Sequence, residues 1–596
     1  GLLPHDIGDH VKGLPLIPQG TWVAGYVRPI VLDPTSKQFE ELAAIWYRHL
    51  HDVYGGKGAA YAGDLFHEGG HKGNVALKPA AESVQRAMQK ASPRSAWVLM
   101  NWQANPPPQI IAGTDPKLTQ ILQLCRNMKD GNNGSPLRNF QGRPWLWGEL
   151  ANFGGNHNLY GGNPLLARLP ELLETERARG DVAGVALLSE GFETNPIYYD
   201  LFFDMIWRDQ GVDLSSWTAS YVERRYGAKH DSAVEAWNLL NQSIYSPTGV
   251  QEGCTESILC AKPSRNARKA SSWSTGKVYY DPLVVADAAE KLILAASEMQ
   301  RERTMNYDLV DVVRQVMADL ARPLLQRTFD AYDAKDTDKF KELSELYLQL
   351  ILDTDRLLST HEDWLLASWT LPAERMGGAH SLANAKRLIT KWSPKTDALD
   401  GYSHRQFAGL MKDYHHARWK SFFDLHVKVL EGKLQGSETN HWYAKRQAQQ
   451  DLNYISSGKT YSLETEGDSL ELARAFYQKY APLLKAYAKH DRQNGYAWKL
   501  SKKEEVFEFD VNESFMEEGA YEVIFQWEAG QSALRIHSVE LFEGEKKLIQ
   551  DKHEGWTGIE NKKNTYLLEL KKLRTNLDTY RLKVSVSGAS GADSSG

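Results

Sequence analysis

The order of apolar and polar positions changes twice along the 596 residues. In the first third, short apolar runs alternate with stretches of helical period. Ala96–Met100, Leu118–Leu124, Trp145–Leu150 and Val182–Leu188 are four such runs, and the segment before Phe66 is a weaker fifth. Between two of them, Pro79–Lys90 places Ala81, Val84 and Met88 on one face at the spacing of a helix. Short buried strands separated by helices predict β/α units and a parallel sheet.

From about residue 211 to 500 the period is helical. Val313, Val316, Leu320 and Leu324 recur at helical spacing, as do Phe340, Leu343, Tyr347, Leu350 and Leu357. No fixed repeat accompanies them, which argues against a regular solenoid. From about residue 504 the period becomes two. Val506, Phe509, Tyr521, Val523, Phe525 and Trp527 alternate with polar residues, and Leu534, Ile536, Val539 and Leu541 follow. Tyr566–Leu570 and Tyr580–Val586 complete the set, punctuated by Gly519, Gly530, Gly544 and Gly558. Short strands with turn signals predict a small antiparallel β-sandwich. The pattern therefore predicts a multidomain chain of α/β, all-α and all-β parts. A β/α-barrel portion spans 1–215, an α-helical domain 216–500 and a β-sandwich accessory module 504–590.

Composition narrows the function more than the fold. Seventy-six acidic residues against 70 Lys and Arg give a net charge of −6, so nothing global favours nucleic acid or an anionic membrane. No run approaches the ~20 apolar residues of a membrane span. The three cysteines, Cys125, Cys254 and Cys260, fit neither a disulfide framework nor a tetrahedral zinc pattern. Cys254 and Cys260 either pair across a short loop or remain free. No Gly-rich phosphate loop, His/Cys metal set or Gly-x-Ser-x-Gly elbow occurs, so no metal or organic cofactor is expected. His71, His415 and His416 read as surface residues. The 18 Trp and 27 Tyr are core material first, but they also supply rings on which sugar C–H faces can stack.

In a β/α barrel the reactive groups lie at the C-terminal ends of the strands. Two candidate strand ends carry a carboxylate followed by glycine: Glu68 before Gly69, and Glu190 before Gly191. Glycine there lets the chain turn sharply and lets a substrate approach the backbone. Val185–Leu188 is apolar to its end, so Glu190 belongs at the strand mouth, where its charge is not buried unpaired. Paired carboxylates suit glycosidic cleavage. One protonates the leaving oxygen, and the other attacks the anomeric carbon or activates water. Glu149 and Glu193 are local competitors, and Asn152-Phe-Gly-Gly-Asn156 is equally readable as a structural turn.

The run Gln141-Gly-Arg-Pro-Trp-Leu-Trp-Gly-Glu-Leu-Ala-Asn-Phe-Gly-Gly-Asn-His-Asn-Leu-Tyr-Gly161 resembles the alpha-N-acetylglucosaminidases, glycoside hydrolase family 89. So do Tyr61–Gly70, Leu188-Ser-Glu-Gly191, Trp217–Tyr226, Tyr307–Asp311, Leu365–Trp369, and Ala408–Leu410 with Arg418-Trp419. The resemblance implies a retaining exo-hydrolase acting on glycans that end in alpha-linked N-acetylglucosamine. It implies Glu68 as acid/base and Glu190 as nucleophile, at a barrel mouth partly covered by the helical domain. It further implies that Trp273 and Asp308 reach the sugar from the helical side, and that His67, Trp102 and Asn156 line the pocket. For retention the two carboxyl groups should lie about 5–5.5 Å apart.

Three features depart from the family pattern. His67 stands where Asn usually precedes the acid/base glutamate. Leu122-Gln-Leu124 replaces a usual Leu-Asp-Leu and leads into an unusual loop at 129–134. Only 67 residues precede Glu68, and about five strand-like units are legible where a closed barrel needs eight. The expectation is an open half-barrel, a truncated piece with both glutamates and only part of the sugar pocket. A non-catalytic carbohydrate-binding fragment and an exo-glycosidase of another sugar preference are the alternatives. Gly519–Gly530, Asp551–Gly558 and Asn564–Tyr566 resemble β-sandwich modules of secreted bacterial glycosidases, which implies an exported protein.

Overall fold

The computed structural model describes residues 2–4, 6–22, 25–56, 60–66, 68–102, 105–124, 140–178, 180–247, 253–271, 274, 276, 278–393, 399–491, 503–511, 519–526, 533–558, 561, 563–571 and 580–588. At the N-terminus β1 (Leu2–Leu3), β2 (Leu16–Ile17) and β3 (Ile30–Leu32) form a small antiparallel sheet in the order β1-β3-β2. The helix Lys37–Tyr54 follows. Its first turn is capped by Ser36, which accepts from the Phe39 amide, and it ends at Gly55 in the left-handed region.

The apolar runs of the first third become a parallel sheet. β4 (Ala60–Ala62), β5 (Ala96–Asn101), β6 (Thr119–Gln123), β7 (Trp145–Ala151) and β8 (Val182–Ser189) lie in sequence order. Every neighbouring pair is parallel. The inner strand β7 is buried along nearly its whole length, whereas the outer strands β4 and β8 are half-buried or exposed along most of theirs. That gradient marks an open sheet, and among the described residues the strands do not close into a barrel. Alternation assigns each strand's side chains to two faces. Trp97, Leu99, Ile121, Trp145 and Trp147 join the main core, which is continuous with the helices. Val98, Met100, Leu122, Leu146, Leu150 and Leu188 form a second cluster on the opposite face, much of it only partly covered.

Helices fill the middle of the chain. Arg303–Asp333, 31 residues long, is buried on nearly every side and packs against Pro282–Glu298, Thr337–Leu358 and Ser469–Asp491. The sequence reading of His415 as a surface residue is corrected here. His415 ends a π-helical turn, Met411–His415, and is buried against Tyr414, while His416 is half-buried. Burial drives the His415 imidazole well below its ordinary value. Cys254 and Cys260 are free and buried, and Cys125 lies outside the described residues.

The C-terminal strands are β9 (Glu505–Asp510), β10 (Gly519–Gln526), β11 (Leu534–Glu543), β12 (Lys546–Asp551), β13 (Gly555–Thr557), β14 (Lys563–Leu570) and β15 (Tyr580–Gly588). One antiparallel sheet runs β12-β11-β15-β9, with β13 also on β11, and β10 pairs with β14 in a second. Ile536, Val539 and Leu541 from the first sheet meet Tyr566 and Leu568 from the second in one core. Trp527 lies outside the described residues.

Candidate active site

Because the five strands are parallel, the segments leaving β4, β5, β7 and β8 emerge along one edge of the sheet. Glu68, Trp102, Phe153–Asn156 and Glu190 all lie in those segments.

Glu68 is held by indoles. Trp102 Nε1 donates to its Oε1 at 2.9 Å, and Trp22 Nε1 donates to its Oε2 at 3.2 Å. Arg28 fixes the same residue's main chain, donating to the Glu68 carbonyl from Nε at 3.0 Å and Nη2 at 2.6 Å. Trp22 sits in the N-terminal turn closed by the Thr21–Val27 bridge.

Glu190 sits one residue beyond β8, and its amide donates to the Ala151 carbonyl at 3.2 Å, continuing the β7–β8 ladder. Its Oε2 accepts from the Gly154 amide at 2.6 Å and from the Tyr402 hydroxyl at 2.7 Å. The Gly154 amide reaches it because the chain turns through positive φ at Asn152, Gly154 and Gly155. A side chain on Gly154 would collide with the Tyr402 carbonyl oxygen, and one on Gly155 with the Arg405 guanidinium. Asn152-Phe-Gly-Gly-Asn156 is thus a tight structural turn that also presents a donor to Glu190.

The 399–408 segment of the helical region closes over this turn. Arg405 Nη1 donates to the Gly154 carbonyl at 2.6 Å, and its guanidinium lies 5.6 Å from the Trp369 ring centroid. Burial pushes Arg405 down to about 10, against the opposing pull of the Glu193 and Glu190 carboxylates. Burial raises the Tyr402 phenol, and the adjoining Glu190 charge raises it further. The Glu68 charge acts on the same hydroxyl, so one phenol senses both carboxylates.

Aromatic rings complete the frame. Trp392 packs edge-on against Trp22 and against Tyr402, each with ring centroids 5.9 Å apart. Trp102 meets Phe153 at 6.4 Å. The contacts form a circuit from Glu68 through Trp22, Trp392 and Tyr402 to Glu190, and back through Gly154, Phe153 and Trp102. Trp392 holds φ at +59°, a conformation strained for a large side chain.

The remaining sequence candidates fall elsewhere. Asn156 is buried and donates to Glu256 at 3.3 Å, beneath the turn. Asp308, which the resemblance puts at the sugar, is buried among partners of the helical region. It is 1% exposed and accepts from Arg225 Nε at 2.5 Å, Arg225 Nη2 at 2.7 Å and the Tyr226 hydroxyl at 2.8 Å. The cause is its helix, Arg303–Asp333, which is buried on the side Asp308 occupies. His67, Trp273 and the 129–134 loop lie outside the described residues. Glu149 is buried, and the Glu193 main-chain carbonyl accepts from the Tyr307 hydroxyl. Trp22, Trp392, Tyr402 and the Gly154 amide were not anticipated from sequence. The one available signal was Gly401-Tyr-Ser-His-Arg405, a polar, aperiodic break in a helical region. Among the described residues no group of three or more His, Cys, Asp or Glu could hold a metal ion, and no helix is long and apolar enough to cross a membrane.

Two family models match in tandem: the Alpha-N-acetylglucosaminidase (NAGLU) tim-barrel domain over residues 1–209 and the C-terminal domain over 217–479. The chain belongs to the alpha-N-acetylglucosaminidase family. Human alpha-N-acetylglucosaminidase is 27% identical over 488 residues, which cover 78% of this chain and 63% of the human protein. The family 89 glycoside hydrolase from Clostridium perfringens in complex with PUGNAc superimposes with a TM-score of 0.73 at 28% identity, covering 80% of this chain and 56% of that one. The same enzyme, with two glutamates changed to glutamine and bound to its substrate GlcNAc-alpha-1,4-galactose, gives 0.74 at 27% identity, over 80% and 55% of the two chains. This member of the family therefore spans less than two thirds of the length of either relative.

Proposed function

We propose that this chain carries a retaining exo-glycosidase site that releases terminal alpha-linked N-acetylglucosamine from glycans. Glu190 attacks the anomeric carbon, and the C–O bond to the aglycone breaks as Glu68 gives its proton to the departing oxygen. Water then attacks the same carbon, Glu68 takes its proton, and the bond to Glu190 breaks. The observation that carries the reading is that two carboxylates on one strand-end rim are tied into a single ring of donors and aromatic side chains. Family membership supports it. So does the spacing of the two substituted glutamates in the substrate-bound relative, nearly as far apart along their chain as Glu68 and Glu190 are here. Trp102 acts as a pocket wall that also orients Glu68.

The same reading divides the chain into a catalytic β/α part at 1–215, a helical part at 216–500 and an accessory sandwich at 504–590, in an exported protein. The partly covered face of the open sheet favours one second reading, a fragment that binds the sugar without cleaving it. Turnover of an aryl alpha-N-acetylglucosaminide decides between them. The proposed function requires release of the aryl alcohol by this chain and its loss in Glu190→Ala. Saturable binding of N-acetylglucosamine without release would support the second.

A further inference from the structure

The donors on Glu190 are unevenly placed. Both the Gly154 amide and the Tyr402 hydroxyl bond Oε2, and among the described residues no hydrogen bond reaches Oε1. The two donors come from different parts of the fold, one from the turn after β7 and one from the segment of the helical region that Arg405 pins to the Gly154 carbonyl. Tyr402 is also braced through its ring by Trp392. Resting on the glycosidase reading above, we propose that Tyr402 is a positioning residue that fixes Oε1 as the attacking oxygen of Glu190 and, with the Gly154 amide, receives the charge that returns to Oε2 when the glycosyl-enzyme is hydrolysed.

The electron count follows from the geometry. In the first half-reaction an electron pair on Oε1 forms the bond to the anomeric carbon, and the pair of the breaking C–O bond leaves on the aglycone oxygen, which takes the Glu68 proton. The carboxylate charge is consumed, and Oε2 becomes the carbonyl oxygen of an ester. In the second half-reaction a water oxygen bonds the anomeric carbon and its proton passes to Glu68. The pair of the C–Oε1 bond stays with the carboxylate, so Oε2 regains charge while facing two donors. Hydrogen bonds to a group that is gaining charge strengthen as it does so. Tyr402 therefore assists the second step more than the first. Without it Glu190 is a better nucleophile and a poorer leaving group.

This separates Tyr402 from a residue that merely holds the loop. With an aryl alpha-N-acetylglucosaminide bearing a good leaving group, Tyr402→Phe should lower kcat by about tenfold to a hundredfold, the range of one lost hydrogen bond to a charged group. KM should fall in proportion, leaving kcat/KM within about threefold of the parent. A burst of aryl alcohol equal to the enzyme concentration should appear, and intact-protein mass spectrometry should find one N-acetylglucosaminyl group on Glu190. The phenylalanine keeps the ring against Trp392, so the thermal midpoint serves as the control for loop integrity. A raised KM with no burst and no covalent adduct, or an unchanged kcat, would overturn the role of Tyr402 while leaving the glycosidase reading standing. Absence of turnover in the parent chain would defeat both.

Discussion

Asp308 offers a sharp separation of structure from catalysis. Its carboxylate is 1% exposed, meets Arg225 through two guanidinium nitrogens at 2.5 and 2.7 Å and takes a third bond from the Tyr226 hydroxyl. The Arg225 side chain is 13% exposed and lies 5.8 Å from the Tyr221 ring centroid. Burial disfavours the Arg225 charge, but the Asp308 carboxylate outweighs it and holds the guanidinium above its ordinary value. Asp308→Ala leaves that cation buried without its partner. Removing one member of such a pair costs about 3–5 kcal/mol. Urea unfolding followed by tryptophan fluorescence should show that loss in the transition of the helical region, with little change in slope. Asp308→Leu combined with Arg225→Met, which removes both charges, should recover most of it. At temperatures where Asp308→Ala remains folded, KM for an aryl alpha-N-acetylglucosaminide should stay within about threefold of the parent, less than the 1.4 kcal/mol of a tenfold effect. A stability loss below about 1 kcal/mol together with a large rise in KM would refute the reasoning and return Asp308 to the sugar.

Other consequences can be measured on the same protein. Trp102→Phe retains an aromatic ring beside Phe153 but removes the indole donor to Glu68 Oε1, and should lower kcat/KM by about tenfold, as should Trp22→Phe on the opposite oxygen. Gly154→Ala places a methyl group against the Tyr402 carbonyl at a φ of +64°, so it should displace the donor pair on Glu190 and abolish turnover while circular dichroism stays unchanged. Asp319, buried beside Tyr280 and Gln315, is pushed up to about 7 by desolvation. An acid whose folded value is raised holds its proton only in the native state between its ordinary value and about 7, so it makes stability fall as pH rises through that window. Asp319→Asn should flatten that fall. A thermal midpoint that drops equally in parent and variant from pH 5 to pH 8 would contradict the assignment.

The strands and helices were legible because their burial is periodic. Trp97, Leu99 and Ile121 face the main core and Val98, Met100 and Leu122 the opposite side, so apolar runs of five or six residues read as strands with apolar side chains on both faces. Glu190 was legible for a related reason, since a charge that ends an apolar strand has only the strand mouth to occupy, whereas Glu68 was legible only as a carboxylate followed by glycine after a weak strand. The donors that hold them were not. Trp22 and Tyr402 come from a turn and a loop with no period, and Tyr402 meets Glu190 across 212 residues of chain. The pairing of Asp308 with Arg225 and Tyr226 was not legible either, because a motif position says nothing about which way a fully buried helix turns a residue. His415 was misread because a histidine without ligand-like partners at helical spacing suggested the surface rather than a core position. Met411, Arg418 and Trp419, all buried and three or four residues away, define the face it shares.

The central claim is that Glu190 attacks the sugar and Glu68 serves both half-reactions. The most direct test is the anomeric configuration of the first-formed N-acetylglucosamine, followed by proton NMR as an aryl alpha-N-acetylglucosaminide is consumed, in the parent and in Glu190→Ala. The account predicts that the alpha anomer appears first and that Glu190→Ala forms almost none. The beta anomer appearing first, or undiminished release by Glu190→Ala, would contradict it.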